Sequence, residues 1–242
     1  MACLYTRIPV LWSTTTASNN IHIHCIISCK YSKLRTLYTT EPEPNMNDFS
    51  STYYLTSAKR FEQCPADTGS EVAFAGRSNA GKSSALNVIT DTTGLARTSK
   101  TPGRTQMINF FALDDDHRLV DLPGYGYAKV PKKIKVEWQK ELGKYLEKRA
   151  SLRGLILLMD VRHPLKEFDC EMLDWAHSVE LPVHILLTKS DKLSNGPAGA
   201  SLQEVLEAIH KSYPLCSAQL FSSLKKQGLK EARQVLSMWL YD

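Results

Sequence analysis

No stretch of this 242-residue sequence approaches the run of about eighteen apolar residues that a membrane-spanning helix needs, so no membrane partner is expected. Paired cysteines are missing too. Cys3, Cys25, Cys29, Cys64, Cys170 and Cys216 are scattered without a recurring spacing in a chain too large to need covalent staples, which reads as free thiols in a reducing compartment. His22, His24, Cys25 and Cys29 crowd together but lack a second ligand pair and the Cys-x-x-Cys spacing of a structural zinc module. Nor is there a strong charge: a formal +5 and a pI near 8.8 do not identify a nucleic-acid binder, although they fit an anionic partner such as RNA. There is no internal repeat. What is there is ordinary for a globular domain, with 43% hydrophobic and 23% charged residues, enough for a single α/β domain plus a tail.

Acidic residues are absent from Met1 to Thr40, while Arg7, Lys30, Lys33 and Arg35 stand among many Ser and Thr, the composition of an organelle transit peptide. The other explanation is a mis-assigned start, with the chain beginning at Met46. It is preferred because no Arg-rich amphipathic helix is evident and Glu41-Pro-Glu-Pro44 punctuates the junction. The expected organisation is a poorly ordered basic extension over 1–45, a lead-in over 46–69 and a folded domain over 70–242.

Beyond the tail, short apolar runs alternate with helical patterns, the signature of strands joined by crossover helices in a mostly parallel sheet. Six strands are predicted, at Val72–Ala75, Met107–Leu113, Arg118–Asp121, Gly154–Val161, Val183–Thr188 and Ala218–Ser222. Helices are predicted at Lys82–Thr90, Lys133–Arg149, Glu167–Val179, Ser201–Ser212 and Leu229–Leu240. In Lys133–Arg149, Ile134, Trp138, Leu142, Tyr145 and Leu146 share one face, so Trp138 reads as core.

Gly76-Arg77-Ser78-Asn79-Ala80-Gly81-Lys82-Ser83 has the Gly-x-x-x-x-Gly-Lys-Ser spacing of a phosphate-binding loop, with a strand pattern before it and a helix pattern after it. Such a loop turns backbone N–H groups inward around a β-phosphate and adds the positive end of a helix. Lys82 is then expected at the β- and γ-phosphate oxygens and the Ser83 hydroxyl on Mg²⁺. A Gly-rich structural turn is the plain alternative. The fold class this implies is α/β, a three-layer P-loop NTPase of Ras-like type with a mostly parallel six-stranded sheet.

Asp121-Leu122-Pro123-Gly124 follows the third strand, where such enzymes hold the metal through water with an Asp and sense the γ-phosphate with a Gly N–H. Thr188-Lys189-Ser190-Asp191 follows another buried strand and has the form of a guanine-reading motif. A carboxylate at Asp191 can accept two hydrogen bonds from guanine N1–H and its 2-amino group, which adenine cannot offer. Lys189 would lie along the base, and the backbone near Ser222-Ser223 could donate to guanine O6. The order and separation of three motifs argue against an ordinary surface pair at Lys189 and Asp191.

From about Asp67 to Trp239 the sequence resembles the EngB (YihA/YsxC) family of bacterial GTPases, in the group that also contains Era, EngA and MnmE. The resemblance is carried by Gly76–Ser84, by Ala96-Arg-Thr-Ser-Lys-Thr-Pro-Gly103-Arg104-Thr105-Gln106, by Asp121-Leu-Pro-Gly-Tyr-Gly-Tyr127, by Asp160-Val-Arg-His-Pro-Leu165, by Thr188–Asp191 and by Phe221-Ser222-Ser223-Leu-Lys-Lys226. It implies an EngB-type GTPase domain over 70–242 that hydrolyses GTP slowly and acts as a switch in large ribosomal subunit assembly, with a link to cell division and septation. It also implies Thr105 as the first switch threonine on Mg²⁺, with Lys82 the second catalytic residue. Gly103, Arg104, Gln106, Met107 and Phe221 complete the implied GTP contacts. A bacterial, cytoplasmic monomer is expected, with an organelle as the alternative if 1–45 is a transit peptide.

No glutamine follows Gly124 to orient water; Tyr125 stands there, so weak intrinsic turnover is expected. In relatives such as MnmE an asparagine at the position of Asn79 helps bind K⁺, so K⁺ is a second candidate cation beside Mg²⁺. His163 reads as a loop or partner contact rather than a base. Arg97, Lys100, Arg104, Lys132, Lys133, Lys135, Lys225 and Lys226 could contact RNA phosphates or could be solvated charge. The rival readings are a nucleotide-dependent kinase on the same loop and a nucleotide-binding scaffold that never turns over.

Overall fold

Runs such as Val72-Ala-Phe-Ala75 and Leu155-Ile-Leu-Leu158 have no polar member to turn toward water, and each lies in a strand buried on both faces. The structure, a computed structural model, describes residues 48–96, 107–125 and 132–241, with the side chains of 132–139 outside the description. All lie within the unit Glu43–Asp242.

In chain order the strands are β1 (Tyr53–Ala58), β2 (Ser70–Gly76), β3 (Ile108–Ala112), β4 (His117–Asp121), β5 (Leu152–Asp160), β6 (Val183–Thr188) and β7 (Cys216–Leu220). The helices are α1 (Lys82–Ile89), α2 (Lys132–Lys148), α3 (Glu167–Ser178), α4 (Asn195–Ser212) and α5 (Leu229–Tyr241). The strands form one sheet in the order β1-β3-β4-β2-β5-β6-β7, parallel from β4 through β7 and antiparallel where β3 meets β4 and β1. Among the described residues the sheet therefore has seven strands, not the six predicted. The added strand, β1, lies within 46–69 and pairs with β3 at the sheet edge, where Tyr53, Tyr54 and Leu55 stay exposed and leave no alternation to read.

Successive residues of β2 point to opposite faces and build two cores. Ala73 and Ala75 pack with Leu142 and Tyr145 of α2, Leu173 of α3 and Val205 of α4. Val72 and Phe74 pack with Leu86 of α1 and Leu236 of α5. This is the three-layer α/β arrangement expected. The C-terminal ends of the parallel strands then share one edge, which carries Gly76, Asp121, Asp160 and Thr188, and the chain reverses its order of strand addition beside β2.

At the opposite end a charged cluster is fully enclosed. Glu71 accepts from Arg118 Nε (2.8 Å), from Arg149 Nε and Nη2 (2.9 and 2.6 Å) and from the Tyr145 hydroxyl (2.9 Å). Arg149 also donates to the carbonyls of Pro65 and Ala66, so its guanidinium has partners on several sides. Such a cluster ties the end of α2 to the base of the sheet.

Candidate functional site

Only a residue without a side chain fits at Gly76, because a Cβ there would stand 2.8 Å from the Leu158 carbonyl oxygen. Gly81 caps α1 at φ 95°, and Asn79 adopts φ 64°, the left-handed region an asparagine tolerates. Between them the chain Gly76–Ser83 makes the expected loop from the end of β2 to the first turn of α1. Ser78 N–H donates to Tyr125 O (2.9 Å) and Ala80 N–H to Arg77 O (2.9 Å), which shapes the loop from within and against the segment after β4. Ser83 stands in the first turn of α1, partly exposed.

Asp121 ends β4 beside this loop. Its carboxylate accepts from Lys82 Nζ and, at 3.3 Å, from the Asn109 side-chain amide. Leu122 and Pro123 are buried, and Leu122 N–H donates to Phe74 O (3.0 Å), which carries the chain to Gly124 alongside β2. Asn109 was not expected here; the residue has no motif around it, and only its register opposite Asp121 brings it in.

The third segment is tied to the first. The Thr188 hydroxyl lies 2.5 Å from Ala80 O and 3.1 Å from Met159 O, and its single hydrogen bridges β6 to the phosphate loop. Lys189, at φ 58°, sends its ammonium across to Asn79 O (2.7 Å) and to Asp160 Oδ2 (3.0 Å). Asp160 is held far below the ordinary carboxylate range, first by hydrogen bonds from the Arg162 side chain (2.9 and 2.7 Å) and also by Lys189. The quoted stretch Asp160–Leu165 thus contributes an acid and a base that position Lys189, a role its sequence did not declare.

Asp191 lies in a short 3-10 turn, Ser190–Lys192, with the Ser222 hydroxyl donating to its Oδ1 at 2.6 Å and Lys192 Nζ 3.4 Å from Oδ2. That hydroxyl is the largest cause that holds the Asp191 carboxyl below its ordinary value, with Lys192 adding to it. Ser222 is buried, accepts from Lys225 N–H (3.1 Å) and pairs through its own N–H with Gln227 O (3.1 Å). Gln227 in turn accepts from the Ser190 hydroxyl (2.9 Å). Phe221 is buried in the core and its carbonyl accepts from Ser190 N–H (3.2 Å), so the loop Phe221–Ser223 is sewn onto the turn that carries Asp191.

Gly103, Arg104, Thr105 and Gln106 lie outside the described residues, as do Arg97, Lys100 and the tail with His22, His24, Cys25 and Cys29. Met107, just before β3, is exposed. His163 is exposed in the turn after β5. Tyr125 does not face the phosphate loop with its ring. Its side chain is buried and its hydroxyl donates to Asp169 of α3 at 3.1 Å, so it has no group to offer an attacking water.

A phosphate loop after β2, an acid at the end of β4 and a guanine-type motif at the end of β6, on a sheet flanked by helices on both faces, define a P-loop GTPase. The family described as "50S ribosome-binding GTPase" matches over residues 71–189. Proteins named probable GTP-binding protein EngB from Coxiella burnetii and Hydrogenovibrio crunogenus are each 59% identical, over 186 and 187 residues, 77% of this chain and 91% and 88% of theirs. The chain belongs to the EngB family and is a GTPase. Among solved structures, a probable GTP-binding protein engB superposes with a TM-score of 0.56 at 20% identity, over 70% of this chain and 98% of that one. An Aquifex aeolicus Era variant bound to GDP and aluminium fluoride gives 0.58 at 20% identity, over 72% and 58%. These likenesses bear on the fold.

Proposed function

We propose that this GTPase is a slow guanine-nucleotide switch whose GTP form docks on the assembling large ribosomal subunit and whose loss disturbs cell division and septation. The observation that carries the switch is the joining of three segments on one edge. Lys189 and Thr188 bond to the phosphate loop, and Asp191 is held ionised by Ser222, so base and phosphate recognition are mechanically one unit. The ribosomal part is supported by the description of the matching family and by the basic residues Lys225 and Lys226, both exposed beside the guanine-reading loop.

In this reading the N–H groups of Gly76–Ser83 cradle the β-phosphate and Lys82 bridges to the γ-phosphate. Asp191 accepts the two guanine donors, Lys189 lies along the base, and the Phe221–Ser223 backbone donates to guanine O6. The donor set suits a hard cation: the Ser83 hydroxyl and, by resemblance, the Thr105 hydroxyl are oxygens that Mg²⁺ takes, and the Asp121 carboxylate would hold the ion through water. Mg²⁺ bound there would neutralise charge on the β- and γ-phosphate oxygens. When nucleotide enters, Lys82 would leave its ion pair with Asp121 for the phosphates, and the Asp121 carboxylate would be free to help hold Mg²⁺. Gly124 N–H meets the γ-phosphate, and its loss on hydrolysis frees the second switch.

Turnover is slow because Tyr125 turns its hydroxyl away from the phosphates. K⁺ beside Asn79, in an exposed left-handed turn, would supply positive charge to the reacting phosphates. Single-turnover hydrolysis tests both parts. The expected result is a low rate that rises with large ribosomal subunits and is higher in K⁺ than in Na⁺ buffer. Equal rates in K⁺ and Na⁺ would remove the potassium role, and a rate indifferent to ribosomal subunits would count against the ribosomal partner.

A further inference from the structure

Tyr125 is gripped from two sides. Its main chain pairs with the phosphate loop, through Ser78 N–H to Tyr125 O (2.9 Å), Tyr125 N–H to Gly76 O (3.4 Å) and a parallel bridge to Arg77. Its side chain leaves in the other direction, into the layer between α2 and α3. There the ring tilts against Phe168 at a centroid distance of 6.3 Å, and the hydroxyl donates to Asp169 Oδ1 at 3.1 Å.

Asp169 is fully enclosed, and its other oxygen accepts from Lys166 N–H at 3.1 Å. Burial raises the Asp169 carboxyl, while the Arg77 guanidinium of the phosphate loop acts the other way, so loop and helix feel each other electrostatically. Tyr125 also lines a groove of about 250 Å³ with Leu142 and Leu146 of α2 and Met172 and Trp175 of α3. A ring beside open volume has room to move, which a ring in a close-packed core lacks.

Gly124 lies one residue before Tyr125, next to the residue that both grips hold. We propose that the Tyr125 hydroxyl and the Asp169 carboxylate form a latch that holds Gly124 N–H aimed at the third phosphate, with Tyr125 and Asp169 as positioning residues for GTP over GDP. This rests on the proposed role of Gly124 as the γ-phosphate sensor. With the latch closed, the start of the second switch is fixed to α3 and the amide is pre-aimed. With it open, the main-chain bonds of Leu122 and Tyr125 remain, and triphosphate binding must supply the rest of the order itself.

The test is the ratio of affinities for a non-hydrolysable GTP analogue and GDP, with single-turnover hydrolysis. It is measured on wild type, Tyr125→Phe, Asp169→Ala, their double variant and Gly124→Pro. At Gly124 an added Cβ would meet Ser78 at an ordinary 3.5 Å, so the Cβ of that variant is accommodated. Tyr125→Phe removes only the hydroxyl, so it carries the test even if Asp169→Ala fails to fold.

The latch predicts that Tyr125→Phe and Asp169→Ala each lower the analogue-to-GDP ratio and the hydrolysis rate about fivefold, the weight of one hydrogen bond, with GDP affinity unchanged. The double variant should be no worse than either single one. If Gly124→Pro lowers the ratio while Tyr125→Phe leaves it at the wild-type value, or if the two latch losses add, the latch is wrong and the Gly124 role stands. If Gly124→Pro, which removes that N–H itself, leaves the ratio unchanged, the sensor role falls and the latch with it.

Discussion

At the scale of single residues, the proposed guanine recognition rests on one carboxylate, Asp191, kept charged first by the Ser222 hydroxyl. Asp191→Ala should weaken GDP binding about 100-fold or more, because two hydrogen bonds to an ionised acceptor, ~1.5–3 kcal/mol each, are lost; a fluorescent-GDP titration checks it. Ser222→Ala should act through pH. In the wild type the Asp191 carboxyl titrates below its ordinary value, so its charged form persists as pH falls and the affinity it supports is lost only through that lowered value. Removing the hydroxyl moves the carboxyl back toward about 3.9, so GDP affinity of the variant should begin to fall at higher pH than that of the wild type. The Thr188–Asp191 motif was readable as a spacing because it lies within one turn, and the structure places it after β6 beside the phosphate loop. Ser222 as a hydroxyl donor, Asp160 with Arg162, and Asn109 were not, because each acts through a contact whose partner lies on another element.

At the scale of elements, β6 and β7 must stay in register for Asp191 and Ser222 to meet, and a buried histidine joins them. His184 places Nδ1 2.7 Å from the Ser217 hydroxyl and Nε2 2.8 Å from Gln219 Oε1, and burial pushes it down to about 4. The ring is thus neutral in the fold but protonated in the unfolded chain below its ordinary value of about 6.5. Stability is then full above about pH 6.5 and falls as the pH drops from there toward 4, by roughly 3 kcal/mol. Urea unfolding across that window should show the fall, and His184→Gln should flatten it. Strands buried on both faces were readable as apolar runs, and their central residues match the prediction. β1 was not, because its exposed Tyr53-Tyr54-Leu55 carries no alternation. The first two turns of α4 were hidden by Gly196, Pro197 and Gly199, which read as loop although the proline stands where a helix needs no N–H.

At the scale of the whole molecule, nucleotide chemistry and fold stability occupy opposite ends of the sheet. The Glu71 cluster holds the base, and removing one partner of a buried ion pair costs about 3–5 kcal/mol. Arg149→Met should therefore lower the urea midpoint sharply while GDP affinity of the folded fraction stays at the wild-type value. The site edge, by contrast, is held by bonds between segments rather than by a core, as a switch requires. On the function proposed above, this edge is a nucleotide-gated docking device. Sedimentation with large ribosomal subunits, in GDP and in a non-hydrolysable GTP analogue over a range of salt, tests it most directly. Co-sedimentation with the analogue, weak binding with GDP, and loss of both as salt rises are expected. Negligible binding in both nucleotides would contradict it.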